Sequence, residues 1–360
     1  MVEVLRSGWV TQGPQVEHFE QAVARFVGAK YAVAVSSCTT ALHLALIVAS
    51  VKPGDEVICP SFSFIATANV IRYCGATPVF VDIDRETYNL NPSLLERLIT
   101  PRTKAILAVH QVGLPADMER ILKVASAHNL KVIEDAACAL GAEYRGERIG
   151  KPHGLVACFS FHPRKIITAG EGGMLATDNE AIAARLKQLR HHGMSVTDLA
   201  RHQSKTVILE EYGELGYNYQ MTDLQAAVGI VQLNRLPELL RQRARLAEGY
   251  HEAFRKSQFL TPPQVPPYAK HTYQSYMVRL KPDASLSRDE LMQKMLERGV
   301  ATRRGVMASH KEPLYAHEAV RAPLPETDAA TNETIILPLY PQMTPNEQEY
   351  VISNLQDLVE

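Results

Sequence analysis

A chain of 360 residues with 46% hydrophobic and 21% charged side chains is long enough for one large domain and a smaller one, and its composition is that of a soluble globular protein. A formal net charge of -1 leaves no global basic field to draw the chain to nucleic acid or anionic lipid. No apolar stretch approaches the roughly 20 residues of a membrane span, so neither a nucleic-acid nor a membrane partner is expected.

The basic run Arg241-Gln242-Arg243-Ala244-Arg245 lies in a helical pattern and reads as a solvated helix face. Cys38, Cys59, Cys74, Cys138 and Cys158 are odd in number, and no two have C-x-x-C spacing. That argues against a disulfide framework or a zinc site and for a reducing compartment. The segment Met1–Arg6 lacks the charged-then-apolar layout of a signal peptide, so a cytoplasmic location is expected.

Short apolar runs alternate with helix-period segments from residue 30 to residue 180. In chain order the patterns predict a strand at Tyr31–Ser36, a helix at Thr39–Ala49, and strands at Glu56–Cys59, Pro78–Asp82 and Ala105–His110. A helix at Met118–His128 follows, then strands at Lys131–Asp135, Leu155–Phe161 and Met174–Thr177 and a helix at Glu180–His191. Strands that are apolar throughout and alternate with helices predict an α/β fold with a mostly parallel sheet covered on both faces. Ligands of such sheets bind beyond the carboxyl ends of the strands.

A second region opens with a long predicted helix, Asp223–Lys256. The Pro-rich stretch 261–267 reads as a surface connection between the two parts. Beyond it come a strand at Tyr273–Leu280, a helix at Ser287–Arg298 and a short strand at Thr334–Leu337. The expected division is a large domain over residues 1–240 and a smaller C-terminal α+β domain over residues 241–360.

Four local features carry chemistry. Ser36-Ser37-Cys38-Thr39-Thr40-Ala41-Leu42 leads small hydroxylated residues from a strand into a helix, a place suited to a phosphate dianion, though Ser and Thr also cap ordinary helices. Val132-Ile133-Glu134-Asp135-Ala136-Ala137 ends an apolar strand on an aspartate, which either caps the next helix or pairs with a protonated pyridine nitrogen. Ser160-Phe161-His162-Pro163-Arg164-Lys165 places a lysine after an apolar strand and beside Gly170-Glu171-Gly172-Gly173. Such a lysine is either a surface-loop residue or a Schiff-base former whose pKa is lowered by burial. The fourth feature is Gly216-Tyr217-Asn218-Tyr219-Gln220-Met221-Thr222-Asp223, whose chemistry composition does not reveal.

In this order and spacing, the motifs resemble the DegT/DnrJ/EryC1/StrS family of sugar aminotransferases, which have the fold-type-I pyridoxal-phosphate (PLP) architecture. The resemblance begins at Ser7-Gly8-Trp9-Val10-Thr11-Gln12-Gly13-Pro14. It continues through Pro53-Gly54-Asp55-Glu56-Val57-Ile58 and Gly75-Ala76-Thr77-Pro78-Val79-Phe80-Val81-Asp82, and it ends at Leu337-Pro338-Leu339-Tyr340-Pro341. It implies that Lys165 is the Schiff-base lysine and Asp135 the pyridinium partner. It implies that Thr39, Thr40 and Ser160 meet the phosphate and that Phe64 stacks on the ring. It also implies that Asn218 reaches the phosphate from the neighbouring subunit of a homodimer with shared sites. Two positions depart from the pattern. Cys138 stands where many members have Gln or His near the ring hydroxyl, and Cys38 stands where the phosphate turn often has Gly; either is also a plausible small packing residue.

The implied reaction moves an amino group from an amino acid, expected to be glutamate, to a keto-sugar, expected to be nucleotide-linked. Lys165 acts in it as base and then acid. Trp9, Arg303, Arg304, His310 and Lys311 are the candidates for substrate contact, the cations for a diphosphate. Relatives with His in place of the lysine act as dehydratases; this chain has Lys165. Two other readings are open at this level. One is a non-catalytic relative of the same fold, and the other is a metal-dependent glycosyltransferase using Asp82-Ile83-Asp84.

Overall fold

Apolar runs too uniform to alternate in and out of a core need a layer on each side, and that is how the central sheet is built. The computed structural model describes residues 1–197, 201–202, 204–316 and 320–359. Its main strands are β1 (Tyr31–Val35), β2 (Glu56–Pro60), β3 (Thr77–Val81), β4 (Thr103–Val109), β5 (Lys131–Asp135), β6 (Val156–Ser160) and β7 (Gly173–Thr177). They form one sheet in the order β1-β7-β6-β5-β4-β2-β3. All neighbours pair in parallel except β7, which runs antiparallel to both β1 and β6.

Alternate residues of each strand enter two cores. Ala32 and Ala34 join Phe19 and Val23 of α2 (Pro14–Val27, after the short α1, Val2–Ser7). Val33 and Val35 join Leu42 and Leu46 of α3 (Cys38–Val48), Ile71 of α4 (Ala66–Tyr73) and Leu186 of α6 (Glu180–Leu189). Ile121 of α5 (Met118–Ala127) lies in the first core.

The long helix α7 (Asp223–Phe254) runs unbroken through residue 240 and serves two cores. Leu233 and Leu236 pack on the large sheet, whereas Leu246, Tyr250 and Phe254 enter a third cluster. That cluster lies against a second, antiparallel sheet of β8 (Leu260–Thr261), β9 (Tyr276–Leu280), β10 (Arg303–Arg304) and β11 (Thr334–Leu337), in the order β8-β9-β11-β10. Helices α8 (Arg288–Glu297), α9 (Pro325–Glu333) and α10 (Pro345–Val359) complete this part. The Pro-rich stretch after β8 leads back to Ala269–Lys270, which pairs with Glu143–Tyr144 of the large part. β9 starts three residues later than the pattern at Tyr273 predicts, because Tyr273 takes a left-handed φ of 50° that no strand accommodates.

Two helices owe their first turns to distant carboxylates. Asp223 accepts the N–H groups of Gly13, Gln15 and Val16 at 2.8, 3.1 and 3.0 Å, at the start of α2. Asp82 accepts the amides of Glu326 and Thr327 at 3.0 and 2.8 Å and the Thr327 hydroxyl at 2.8 Å, at the start of α9. Asp84 is engaged with Glu86 and Thr87. The Asp82-Ile83-Asp84 motif is therefore a helix cap and a turn. With Asp82 and Asp84 so engaged, the glycosyltransferase reading loses the motif it was based on.

Candidate active site

The carboxyl edge of the large sheet gathers the chemistry-bearing residues. β5 ends on Asp135 and β6 on Ser160, and β1 leads through Ser36 and Ser37 into α3. Antiparallel β7 begins on this edge, with Gly173 opposite both Val35 and Ser160. A Cβ on Gly173 would come within 2.3 Å of the Ser37 carbonyl oxygen, so only glycine lets β7 approach the α3 turn this closely.

Asp135 is 7% exposed. Its Oδ1 accepts the Ala137 N–H at 3.1 Å and its Oδ2 accepts the Thr67 hydroxyl at 3.2 Å. Burial pushes the carboxyl pKa up, against the pull of the Ala137 amide, the Lys165 charge and Thr67. Thr67 is not legible in the sequence, because it sits in the first turn of α4, a helix of eight residues with no capping side chain to mark its start.

Lys165 follows β6 in a short turn in which its N–H donates to the His162 carbonyl at 2.9 Å. Its Nζ donates to Cys138 Sγ at 3.2 Å. A small cavity here is lined by Cys138, Ser160 and Lys165 with Ala137, Leu140, Ile166 and Ile167. The sequence leads one to expect a pKa lowered by burial. Burial does pull it down, but Cys138, Cys38 and Asp135 outweigh burial and the net direction is upward.

The α3 turn forms a cradle for an anion. Ser37 Oγ accepts the Thr40 N–H and Thr40 Oγ1 accepts the Ser37 N–H, both at 3.1 Å, a reciprocal capping box. Thr40 also gives its own proton to the Ser37 carbonyl at 2.8 Å, so its hydroxyl shapes the turn. The amides of Cys38 and Thr39 lie in the first turn, where the helix has no carbonyl of its own for them and the dipole favours negative charge. Ser160 stands across the gap, its Oγ accepting only a long 3.4 Å bond from the His162 amide. The buried Cys38 thiol is pushed up by burial and stays protonated, a small group inside the turn.

The remaining sequence candidates divide. Phe64 is 68% exposed on the loop after β2, an open aromatic face at the mouth of the site. Asn218 is exposed on the segment that joins the end of β1, where the Tyr219 carbonyl accepts the Ser36 N–H at 2.8 Å. Trp9 makes its contacts with the Gln12 carbonyl, at 2.9 Å, and with the His202 ring, 5.2 Å away. His310 reaches the loop beneath Phe64: its Nδ1 lies 2.7 Å from Ser61 Oγ, and its Nε2 lies 3.2 Å from Asp328. Lys311 also pairs with Asp328, at 2.7 Å, and Arg304 pairs with Glu312 at 3.6 Å. Arg303 is exposed and makes no ion pair among the described residues.

The donor set suits PLP. Asp135 is a buried carboxylate for a protonated ring nitrogen, and Lys165 is an amine for an aldehyde. The α3 turn with Ser160 offers donors to a phosphate, and Phe64 offers a face to the ring.

Residues 1–356 match the model of the DegT/DnrJ/EryC1/StrS aminotransferase family. An uncharacterized protein of Methanocaldococcus jannaschii is 39% identical over 362 residues, spanning 100% of this chain and 94% of that one. PseC of Helicobacter pylori, an aminotransferase involved in the biosynthesis of pseudoaminic acid, superposes with a TM-score of 0.92 at 29% identity over 99% of this chain and 94% of its own. Spr1654 of Streptococcus pneumoniae superposes in its PLP form with a TM-score of 0.91 at 28% identity, covering 99% of this chain and 94% of that one. Its PMP (pyridoxamine phosphate) form gives a TM-score of 0.92 at 29% identity, covering 99% and 95%.

Proposed function

The chain belongs to the DegT/DnrJ/EryC1/StrS aminotransferase family and is a PLP-dependent aminotransferase; on that premise we propose that Lys165 and Asp135 are its catalytic pair and that it aminates a nucleotide-linked keto-sugar with glutamate as donor. The observation that carries the catalytic assignment is the meeting of the Lys165 Nζ, 3.2 Å from Cys138, with the buried Asp135 at the carboxyl edge of β5 and β6. A sugar acceptor is supported by the structural likeness to Spr1654, described as a sugar aminotransferase, and to PseC, which is involved in the biosynthesis of pseudoaminic acid. The nucleotide is supported by the cationic segment Arg303–Lys311, which His310 pins against the Ser61 loop.

Bound PLP supplies an electron sink for a carbanion next to nitrogen. The residues do the rest. Asp135 keeps a proton on the ring nitrogen. The α3 amides, Thr39 and Ser160 hold the phosphate, while Phe64 covers one ring face and Cys138 lies by the lysine. With PLP bound, the Lys165 amine would be placed to take a proton from the substrate carbon and to give it back, as base and then acid.

We read the protein as a cytoplasmic homodimer with shared sites. Val207, Leu209 and Leu215 are 90%, 84% and 81% exposed on the way to Asn218, apolar side chains that suit burial against a second copy. The five cysteines are all free, in keeping with a reducing compartment, and among the described residues no helix is long and apolar enough to cross a membrane.

The test is single-turnover reaction of the pyridoxamine form with nucleotide-linked keto-sugars, the same sugars free, and simple 2-oxo acids. Fast return to the PLP spectrum with a nucleotide-linked sugar alone is expected. Equal rates with the free sugars would remove the nucleotide from the proposal.

A further inference from the structure

We propose that Thr67, backed by Ser63, is a positioning residue for the reaction: its hydroxyl holds the Asp135 carboxylate charged and aimed at the cofactor's ring nitrogen. This rests on the placement of Asp135 against that nitrogen.

Thr67 and Ser63 are 1% and 2% exposed, so neither hydroxyl is spent on solvent. Thr67 Oγ1 lies 3.2 Å from Asp135 Oδ2 and 2.8 Å from Ser63 Oγ. A hydroxyl has one proton. Thr67 gives its proton to the carboxylate, which has none to return, so the shorter bond must be donated by Ser63. The chain therefore runs Ser63 to Thr67 to Asp135, and each donor strengthens the next.

That direction matters because one proton lies between Asp135 and the ring nitrogen. A buried carboxyl favours its neutral form, and every donor to the carboxylate opposes this. Thr67 on Oδ2 and the Ala137 amide on Oδ1 supply one donor to each oxygen, which also fixes the carboxylate plane. Lys165 and His110 also act on Asp135, and the buried thiols of Cys38 and Cys158 face it. Without Thr67 the balance moves towards a proton on Asp135 and a neutral ring, a poorer electron sink.

The same segment sets the ring face. Phe64 lies between Ser63 and Thr67, and its carbonyl accepts the Thr67 N–H at 3.0 Å. The Phe62 carbonyl is held by the Gln111 side chain, and Ser61 by His310. One short stretch thus aligns the aromatic cover and the partner of the nitrogen together.

The test uses holoenzyme loaded with PLP labelled with nitrogen-15 in the ring, and reads the ring nitrogen's chemical shift together with kcat. Asp135→Asn should move the signal to that of an unprotonated ring. Thr67→Val, nearly equal in shape, should move it part of the way and lower kcat by roughly tenfold to a hundredfold. Thr67→Ser should restore both. A native shift in Thr67→Val, in a series where Asp135→Asn does move it, overturns the role of Thr67. A native shift in Asp135→Asn itself overturns the placement of Asp135. If Thr67→Val gives no folded holoenzyme, Ser63→Ala decides: a smaller displacement in the same direction supports the chain of donors, and a native shift rejects it.

Discussion

Replacing Glu134 by glutamine should loosen the end of the strand that presents Asp135. Glu134 is fully buried at 0% exposure. Its Oε1 accepts the amides of His153 and Gly154 at 3.0 and 2.9 Å, and its Oε2 accepts from His110 Nε2 at 3.2 Å. The other ring nitrogen of His110 accepts the Ala116 N–H at 3.0 Å, so the ring proton is fixed on Nε2 and cannot move away. A carboxylate accepts from all three donors. A glutamine amide must turn its NH2 either against the two backbone amides or against His110. Burial pushes the Glu134 carboxyl up, but the His110 hydrogen bond and the nearby His153 ring outweigh it and hold the pKa at about 2, against 4.5 for the free side chain. At about 1.4 kcal/mol per pKa unit this is on the order of 3 kcal/mol. The sign follows from a depressed pKa: the contribution is full above 4.5 and is lost as pH falls through that value towards 2. Urea unfolding of native and Glu134→Gln holoenzyme should therefore show a gap at neutral pH that narrows below 4.5. Equal midpoints at neutral pH would refute the three-donor account.

Cys138→Gln should shift the pH titration of the cofactor's visible band and reorder the preference among acceptor sugars, because it replaces the sulfur that Lys165 Nζ meets at 3.2 Å. Unchanged titration and ranking would make Cys138 a spacer. Co-expressed Lys165→Ala and Asn218→Asp chains should complement, although each homodimer is nearly inactive: random pairing gives one intact site in mixed dimers and returns about a quarter of native activity. No rescue, with subunit exchange demonstrated, would place Asn218 outside the partner's site.

The large sheet was legible because its strands are apolar on both faces: Lys131–Asp135 matches the pattern residue for residue, as Thr334–Leu337 does in the second sheet. The Lys165 and Asp135 motifs were legible as well, since chemistry at the carboxyl edge of such a sheet needs those residue types there. What escaped depends on contacts remote in the chain. Helix α9 has Leu324 at its N-cap, with no capping side chain of its own, and borrows Asp82, so neither the helix nor the role of Asp82 could be read locally. Helix α2 is different: Val16, Phe19, Val23 and Val27 recur at helical spacing behind Pro14, a signal that the local pattern does carry. Thr67 and Ser63 became visible only when α4 brought them under Asp135. The Lys165 pKa ran against expectation because sequence shows burial but not the thiol and carboxylate that oppose it.

The central claim, that Lys165 carries the cofactor, is tested most directly by borohydride reduction of the PLP-loaded protein followed by peptide mass analysis. The predicted result is a yellow protein that bleaches on reduction, with the cofactor's mass fixed on the peptide containing Lys165 and absent from Lys165→Ala. A colourless protein that takes up no PLP, or label on any other lysine, would contradict it.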